Sequence, residues 1–501
     1  MRTLFYISII CFFSAINAQE NHVRSASVGL LNEDTFFDDT LSLSNPILPN
    51  LKSSPLFGLP IHTSTSKNKN TFGIDFFPVV HVAGALLSEQ NKQYSFVSGG
   101  GFGFSGHWND QLYARILLTG NYLESGIAQP SYHEVYKTFF LNNHNAGSQI
   151  GLQPKIRLSY TPYTFLNIQA GIDQNFIGHG KRSLLLSDYG APYPFAQLRT
   201  QFWRIEVSNL FQFFKENPYE GLKRKFASTH FFNFKITKRF QVGIFESVVF
   251  APKDTLMNRG YDVTYLNPFL FYRPSEYALG SQDRLLLGLN LSYEFTKFMI
   301  YGQFAIDDFV FRELITRSRW WANKYSGQLG VKGENSLQNT KMKWLIELNF
   351  ARPFTYSHLN LSTNYGNQGR SLAHPLGANF VELYTEMAFE FTPKLHLKPQ
   401  FFFVQQGGQD ANDSLSFGAD IYQPYTDRPY EYGYRIGGNG KLNRFHFSTE
   451  LNYQVFEKMR IELFIRPGVE FQNGNTANFK HQFFVYGGIR SNLWNDYSFG
   501  F

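Results

Sequence analysis

The chain has 501 residues, a formal net charge of +7, and 54 Phe, 29 Tyr and 6 Trp, so that aromatics (18%) outweigh charged residues (17%). Beyond the first fifteen residues no apolar run reaches the ~18 needed for a membrane-spanning helix, which rules out a helical membrane protein. Wholesale disorder is disfavoured because disordered chains are poor in aromatics, and the mild positive excess gives no support for nucleic-acid binding.

The first residues read as a secretory signal peptide, with Arg2 as the positive end, an apolar run from Leu4 to Phe13, and small residues up to Ala18. Cleavage is expected after about Ala18, making 1–18 the signal peptide. Cys11 is the only cysteine and lies inside that run, so no disulfide or cysteine metal site is expected in the mature chain. Residues 19–69 do not alternate: Asp34, Asp38 and Asp39 surround Phe36 and Phe37, and Pro46, Pro49, Pro55 and Pro60 break any long element. This segment is expected to be a periplasmic leader, partly irregular.

From about residue 70 to 501 one rhythm repeats. Leu285, Leu287, Leu289, Leu291 and Tyr293 oppose Gly288, Asn290, Ser292 and Glu294. Met342, Trp344, Ile346, Leu348 and Phe350 oppose Lys341, Lys343, Glu347 and Asn349, and Phe445, Phe447, Leu451 and Tyr453 oppose Arg444, His446, Ser448, Glu450 and Asn452. A period of two means strands, whose successive side chains point to opposite faces. The runs last about ten to fourteen residues, beyond the ~5–6 of soluble strands and near the ~9–11 of tilted membrane strands. Because lipid offers the backbone no hydrogen-bond partner, such a sheet must close on itself.

Turn lengths give the topology. Short turns recur at 107–109, 161–163, 237–239, 296–297, 392–394 and 456–458; long connections fill 124–147, 177–194, 251–283, 308–323, 351–378 and 406–441. Outer-membrane barrels keep short turns in the periplasm and long loops outside. The expected fold is an all-β transmembrane antiparallel barrel of about 18 strands, both termini periplasmic, in the cell outer membrane. An even count requires residues 195–214 to form a hairpin turning near Trp203.

Candidate site residues come from the loops and the polar strand faces. Lys181 and Arg182, in the Gly-rich stretch 178–188, could bind an acidic polymer or belong to a folded-in structural loop. The stretch is no phosphate-binding loop, since Arg182 stands where Ser/Thr is required after Gly180-Lys181. Trp320 and Trp321, following Arg317 and Arg319, suit either a sugar ring or the aromatic belt of the membrane surface. Arg370 and His374 are further ligand-binding candidates. Inside the barrel, Glu382, Glu386 and Glu390 on one strand and Lys394, His396 and Lys398 on the next form a candidate lumen charge network. Ser183, Asp188 and His179 lie close in sequence, but no G-x-S-x-G, H-E-x-x-H or spaced metal set is present, so no enzyme, no metal and no cofactor are expected.

Several stretches resemble the capsule-assembly Wzi family, and within it the RemB-type gliding-motility proteins. They are Gly178-His179-Gly180-Lys181-Arg182-Ser183-Leu184-Leu185-Leu186-Ser187-Asp188 leading to Pro194-Phe195, Asn267-Pro268 with Tyr272, Tyr301-Gly302-Gln303 with Asp307-Asp308, Trp321-Ala322-Asn323-Lys324, and Ser371-Leu372-Ala373-His374-Pro375-Leu376-Gly377-Ala378-Asn379. The resemblance implies an 18-stranded barrel acting as a lectin for capsular or exopolysaccharide. It also implies a periplasmic helical bundle, for which residues 19–69 leave room for a shortened counterpart at most. The implied partners are outer-membrane lipid, surface polysaccharide, and gliding or surface-assembly proteins. A gliding or adhesion component and a diffusion porin are the competing readings.

Overall fold

The structure, a computed structural model, describes residues 47–48, 59–65, 71–88, 93–109, 111–125, 140–145, 148–215, 224–253, 260–267, 283–337, 340–408, 415–438, 440–456, 459–474 and 480–491. The signal peptide expected at 1–18 lies outside the described residues.

Eighteen strands close one antiparallel barrel. The first six are β1 (Thr71–Ser88), β2 (Gln93–Trp108), β3 (Leu112–Ser125), β4 (Ser148–Tyr163), β5 (Leu166–Asp173) and β6 (Tyr193–Phe202). There follow β7 (Ile205–Lys215), β8 (Arg224–Lys235), β9 (Phe240–Phe250), β10 (Arg284–Glu294), β11 (Phe298–Asp308) and β12 (Lys324–Leu337). The last are β13 (Thr340–Ala351), β14 (Phe380–Thr392), β15 (Leu395–Gln406), β16 (Leu442–Phe456), β17 (Ile461–Gly474) and β18 (Lys480–Ser491). Closure is made by β18 against β1, from Phe483↔Ser88 to Arg490↔His81. A closed ring satisfies every ladder and leaves no edge in lipid.

The period of two becomes an inside and an outside. On β13, Lys343, Glu347 and Asn349 are buried toward the lumen while Ile346 and Leu348 are exposed, as are Phe445, Phe447 and Leu451 on β16. The outward faces carry the apolar band expected of a barrel in an outer membrane. The hairpin at Trp203 is present: β6 and β7 pair from Phe202↔Ile205 upward, with Trp203 in the left-handed region at φ 53°. The turn expected at 161–163 lies slightly later, between Tyr163 and Leu166.

Two findings depart from a simple wet cylinder. First, part of the lumen is apolar. Leu184, Leu185 and Leu186 sit at the centre of a buried cluster with Phe195, Leu210, Phe214, Phe231, Phe245 and Leu286 from the inner wall. Second, the two described stretches of residues 19–69 pair with the barrel's own chain. Leu59–Thr65 pairs with the start of β1, and Ile47–Leu48 pairs with Phe176–Ile177, inside the lumen.

Candidate functional site

The connection between β5 and β6 (174–192) is long and polar enough to look like an outer loop, yet it folds into the barrel. Its root is Arg157 on β4, fully buried, which donates to Asp173 Oδ2 at 2.8 Å, Gln169 Oε1 at 2.7 Å and the Gln174 carbonyl at 2.8 Å. Arg115 on β3 adds a second cation to Asp173 at 3.1 Å. A carboxylate held by two arginines makes a firm hinge for the segment that follows.

From that root the segment crosses to the opposite wall. The Leu184 amide donates to Gln303 Oε1 on β11 at 2.8 Å, and Gln328 on β12 donates to the Arg182 carbonyl at 3.1 Å. The Lys181 amide and the Tyr301 hydroxyl each donate to Glu347 Oε1 at 2.7 Å. Lys181 Nζ lies 3.5 Å from Glu386, and Arg182 lies 3.5 Å from Glu382 with its guanidinium 4.5 Å from the Tyr384 ring centre. The 352–379 loop caps this plug from above: Tyr356 donates to the Leu184 carbonyl at 2.8 Å, and Tyr365 to that of Leu185 at 2.7 Å.

These contacts place the expected residues. Lys181 and Arg182 are buried inside the barrel and paired with wall carboxylates. His374 is also buried; its Nε2 lies 2.8 Å from Glu382 and its Nδ1 accepts from the Leu376 amide, so it stands as the neutral Nε2–H tautomer. Burial holds its pKa below the ordinary histidine value. Arg370 is half-buried, 5.9 Å from the Tyr189 ring centre.

Glu382 and Glu386 on β14 form ion pairs with the plug. Register sets Glu382 opposite Val404 and Glu386 opposite Gln400; only Glu390 stands opposite a member of the expected basic set, His396. Lys394 is exposed in the turn, His396 bonds the Pro393 carbonyl, and Lys398 turns to Glu450 on β16 at 3.9 Å. Ser183 donates to the Ile177 carbonyl at 2.6 Å and accepts from the Leu185 and Leu186 amides, so its hydroxyl serves the plug's own backbone.

Above the plug, the long loops build a platform. The 309–323 and 407–441 loops are zipped by backbone bonds from the Trp321 amide to Glu431 O (3.1 Å) and from the Tyr434 amide to Arg319 O (3.1 Å). Trp321 Nε1 donates to Glu431 Oε2 at 2.7 Å, and Arg428, bonded to Glu431, lies 4.2 Å over the Trp321 ring. Tyr425 meets the same indole at 4.8 Å between ring centres, and Trp320 lies 6.2 Å away. Arg428 holds the Glu431 carboxyl below its usual pKa range. Phe354, at φ 64°, packs edge-on against both Trp321 and Tyr434. A bulky residue with positive φ stays there only where its surroundings impose it.

Trp320 and Trp321 were visible in the sequence as loop aromatics. Tyr425, Arg428 and Glu431 were not, since nothing local marks residues a hundred positions away as their partners. What the platform offers chemically is stacked ring faces, an ordered guanidinium and an ordered carboxylate: the contacts that suit a sugar's apolar C–H face and its hydroxyls.

No family model matches the chain, and no curated protein matches it. Among solved structures, Wzi of Escherichia coli, an outer-membrane protein involved in group 1 capsule assembly and a carbohydrate-binding β-barrel, aligns at a TM-score of 0.52 and 12% identity, covering 83% of each chain. The fold is similar to that of Wzi. OprD of Pseudomonas aeruginosa aligns at a TM-score of 0.41 and 8% identity, over 82% of this chain and 94% of that one. OccAB1 of Acinetobacter baumannii aligns at 0.43 and 8%, over 87% and 99%. The protein is an outer-membrane β-barrel.

Proposed function

We propose that this chain is a non-enzymatic outer-membrane barrel that binds or organises capsular or exopolysaccharide at the cell surface. The observation that carries the reading is the outer platform, where Trp321, Tyr425, Arg428 and Glu431 from two distant loops are locked in one aromatic–ionic arrangement. The likeness of fold to Wzi, itself a carbohydrate-binding barrel, supports it. The plug also supports it, because a lumen crossed by a bonded segment suits a surface receptor better than a diffusion route.

Purified protein tested against the host's own surface polysaccharide is expected to retain it, and Trp321→Ala to weaken retention about tenfold, near the 1.4 kcal/mol that a tenfold change represents. No retention by the parent protein, together with an intact glycan layer in a deletion strain, overturns the reading. The motif likeness to gliding-motility proteins supports a second reading, a gliding or adhesion component acting through protein partners. Loss of spreading on agar with a normal glycan layer would favour it.

A further inference from the structure

We propose that the helical turn Phe311–Ile315, in the connection between β11 and β12, is an interfacial foot: its apolar side lies among the acyl chains of the outer leaflet and ties the platform to the membrane surface. The sequence gives this turn two sides. At about 100° per residue, Phe311, Leu314 and Ile315 share one side, and Arg312, Glu313 and Thr316 share the other. None of its residues is buried; Phe311 and Ile315 are each 65% exposed, with Val310 and Leu314 exposed beside them. The turn is nevertheless fixed. The Val310 amide donates to Asn323 Oδ1 at 2.7 Å, and Asn323 Nδ2 donates to the Val310 carbonyl at 3.2 Å. At the other end the Ser318 hydroxyl donates to the Glu313 carbonyl at 3.1 Å. A rigid apolar side held clear of the protein marks a surface for a partner.

Continuity with the lipid-facing wall identifies that partner. Phe304 on β11 and Phe350 on β13 carry the outward apolar face to its outer rim, alternating with the lumen-facing Gln303 and Asn349. Both lie beside Tyr325 of β12, at 5.9 and 6.4 Å between ring centres. Phe309 meets Tyr325 at 6.2 Å and Phe311 meets Phe309 at 6.4 Å, so one chain of rings runs from the wall into the foot. The neighbouring connection, between β9 and β10, is built in the same way. Phe250 shares the outward face of Ile244, opposite Phe245 and Val249 of the plug-filled core, and Tyr261 and Tyr265 cover it at 5.1 and 4.8 Å. That connection therefore lies on the outside of the wall, and it turns Val263 and Leu266 away from it, 75% and 46% exposed. An amphipathic helix at a membrane surface buries its apolar side ~5–10 Å into the headgroup boundary and keeps its polar side in water. Arg312, Glu313 and Thr316 supply that polar side here.

The experiment uses full-length Cys11→Ser protein in vesicles of dimyristoylphosphatidylcholine, with one nitroxide on each single-cysteine variant. Phe311→Cys and Ile315→Cys probe the apolar side, and Arg312→Cys and Thr316→Cys the polar side. Leu348→Cys gives the lipid-facing wall as a reference, and Lys394→Cys the turn at the opposite end of the barrel. All six positions are exposed, so the labels displace no packed side chain. Collisions with oxygen report lipid, and collisions with a nickel chelate report water. The oxygen-to-nickel ratio at 311 and 315 should follow that at 348 and exceed that at 312, 316 and 394 about threefold, for a side sunk ~5–10 Å. Ratios at 311 and 315 equal to those at 312 and 316 overturn the inference. So does low access to both reagents at 311 and 315, which would mark a second copy of the chain on this side. Neither result depends on whether polysaccharide binds, so the reading of the platform stands or falls separately.

Discussion

The backbone amide of Lys181 donates to the Glu347 carboxylate at 2.7 Å, across a sequence separation of 166 residues. Tyr301 and the Arg182 amide donate to the same carboxylate, so one buried side chain on β13 anchors the tip of the plug through three donors. Glu347→Ala would strand those donors, at about 1–3 kcal/mol for each one left without a partner. Thermal unfolding should fall markedly in Glu347→Ala and less in Glu347→Gln, which keeps one accepting oxygen. Equal stability in all three proteins would show that the anchor holds nothing.

Removing the plug should change transport. With 178–188 replaced by a short Gly-Ser linker, planar-bilayer recordings should show conductance steps that the parent protein lacks. A parent protein that conducts as well as the deletion would return the porin reading to first place.

The centre of the plug is apolar, and its contribution is measurable separately from the anchors. Leu185 is fully buried among lumen-facing aromatics and lies against the backbone of Gly288 on β10. Leu185→Ala should destabilise the plug by roughly 2–5 kcal/mol, the usual range for a large-to-small change in a tight core. The change should appear as proteolytic sensitivity in 174–192 while the barrel stays folded. An unaltered digestion pattern would contradict the packing described.

A pH dependence follows from two loop histidines. Burial depresses His179, with Lys332 adding to it, and burial depresses His358, with Arg284 and Lys324 adding to it; both come down to about 3. Unfolded imidazole titrates near 6.5. As pH falls below that value the unfolded chain gains protons that the native loops refuse, so stability is full above about pH 6.5 and drains away toward pH 3. The melting temperature should drop between pH 7 and pH 4, and by less in His179→Asn/His358→Asn. A flat profile in the parent protein would refute the assignment.

The wall was legible because its signal is local: the face of β13 alternates residue by residue, and parity alone demanded a turn near Trp203. The interior was less so. Leu184-Leu185-Leu186, flanked by charged and glycine residues, has the composition of a loop, and only the tertiary fold shows that the barrel buries it. Glu382 and Glu386 stand opposite Val404 and Gln400 in the register, and no short-range pattern shows that Arg182 and Lys181 of the plug are their ion-pair partners. Half of the platform was visible in Trp320 and Trp321. The other half, Tyr425, Arg428 and Glu431, sits in a loop brought there by three intervening hairpin connections, a relation that no short-range pattern encodes.

The pairing of Ile47–Leu48 with Phe176–Ile177 has a bearing on biogenesis. A chain that holds Ile47 and Leu48 inside its own cylinder cannot be sealed without regard to them. When β18 meets β1, those two residues must already lie within the circumference or be drawn in afterwards through an open mouth. Filling of the bore is therefore tied to assembly of the wall, and a barrel lacking residues 47–48 would be a vessel missing one of its internal stays.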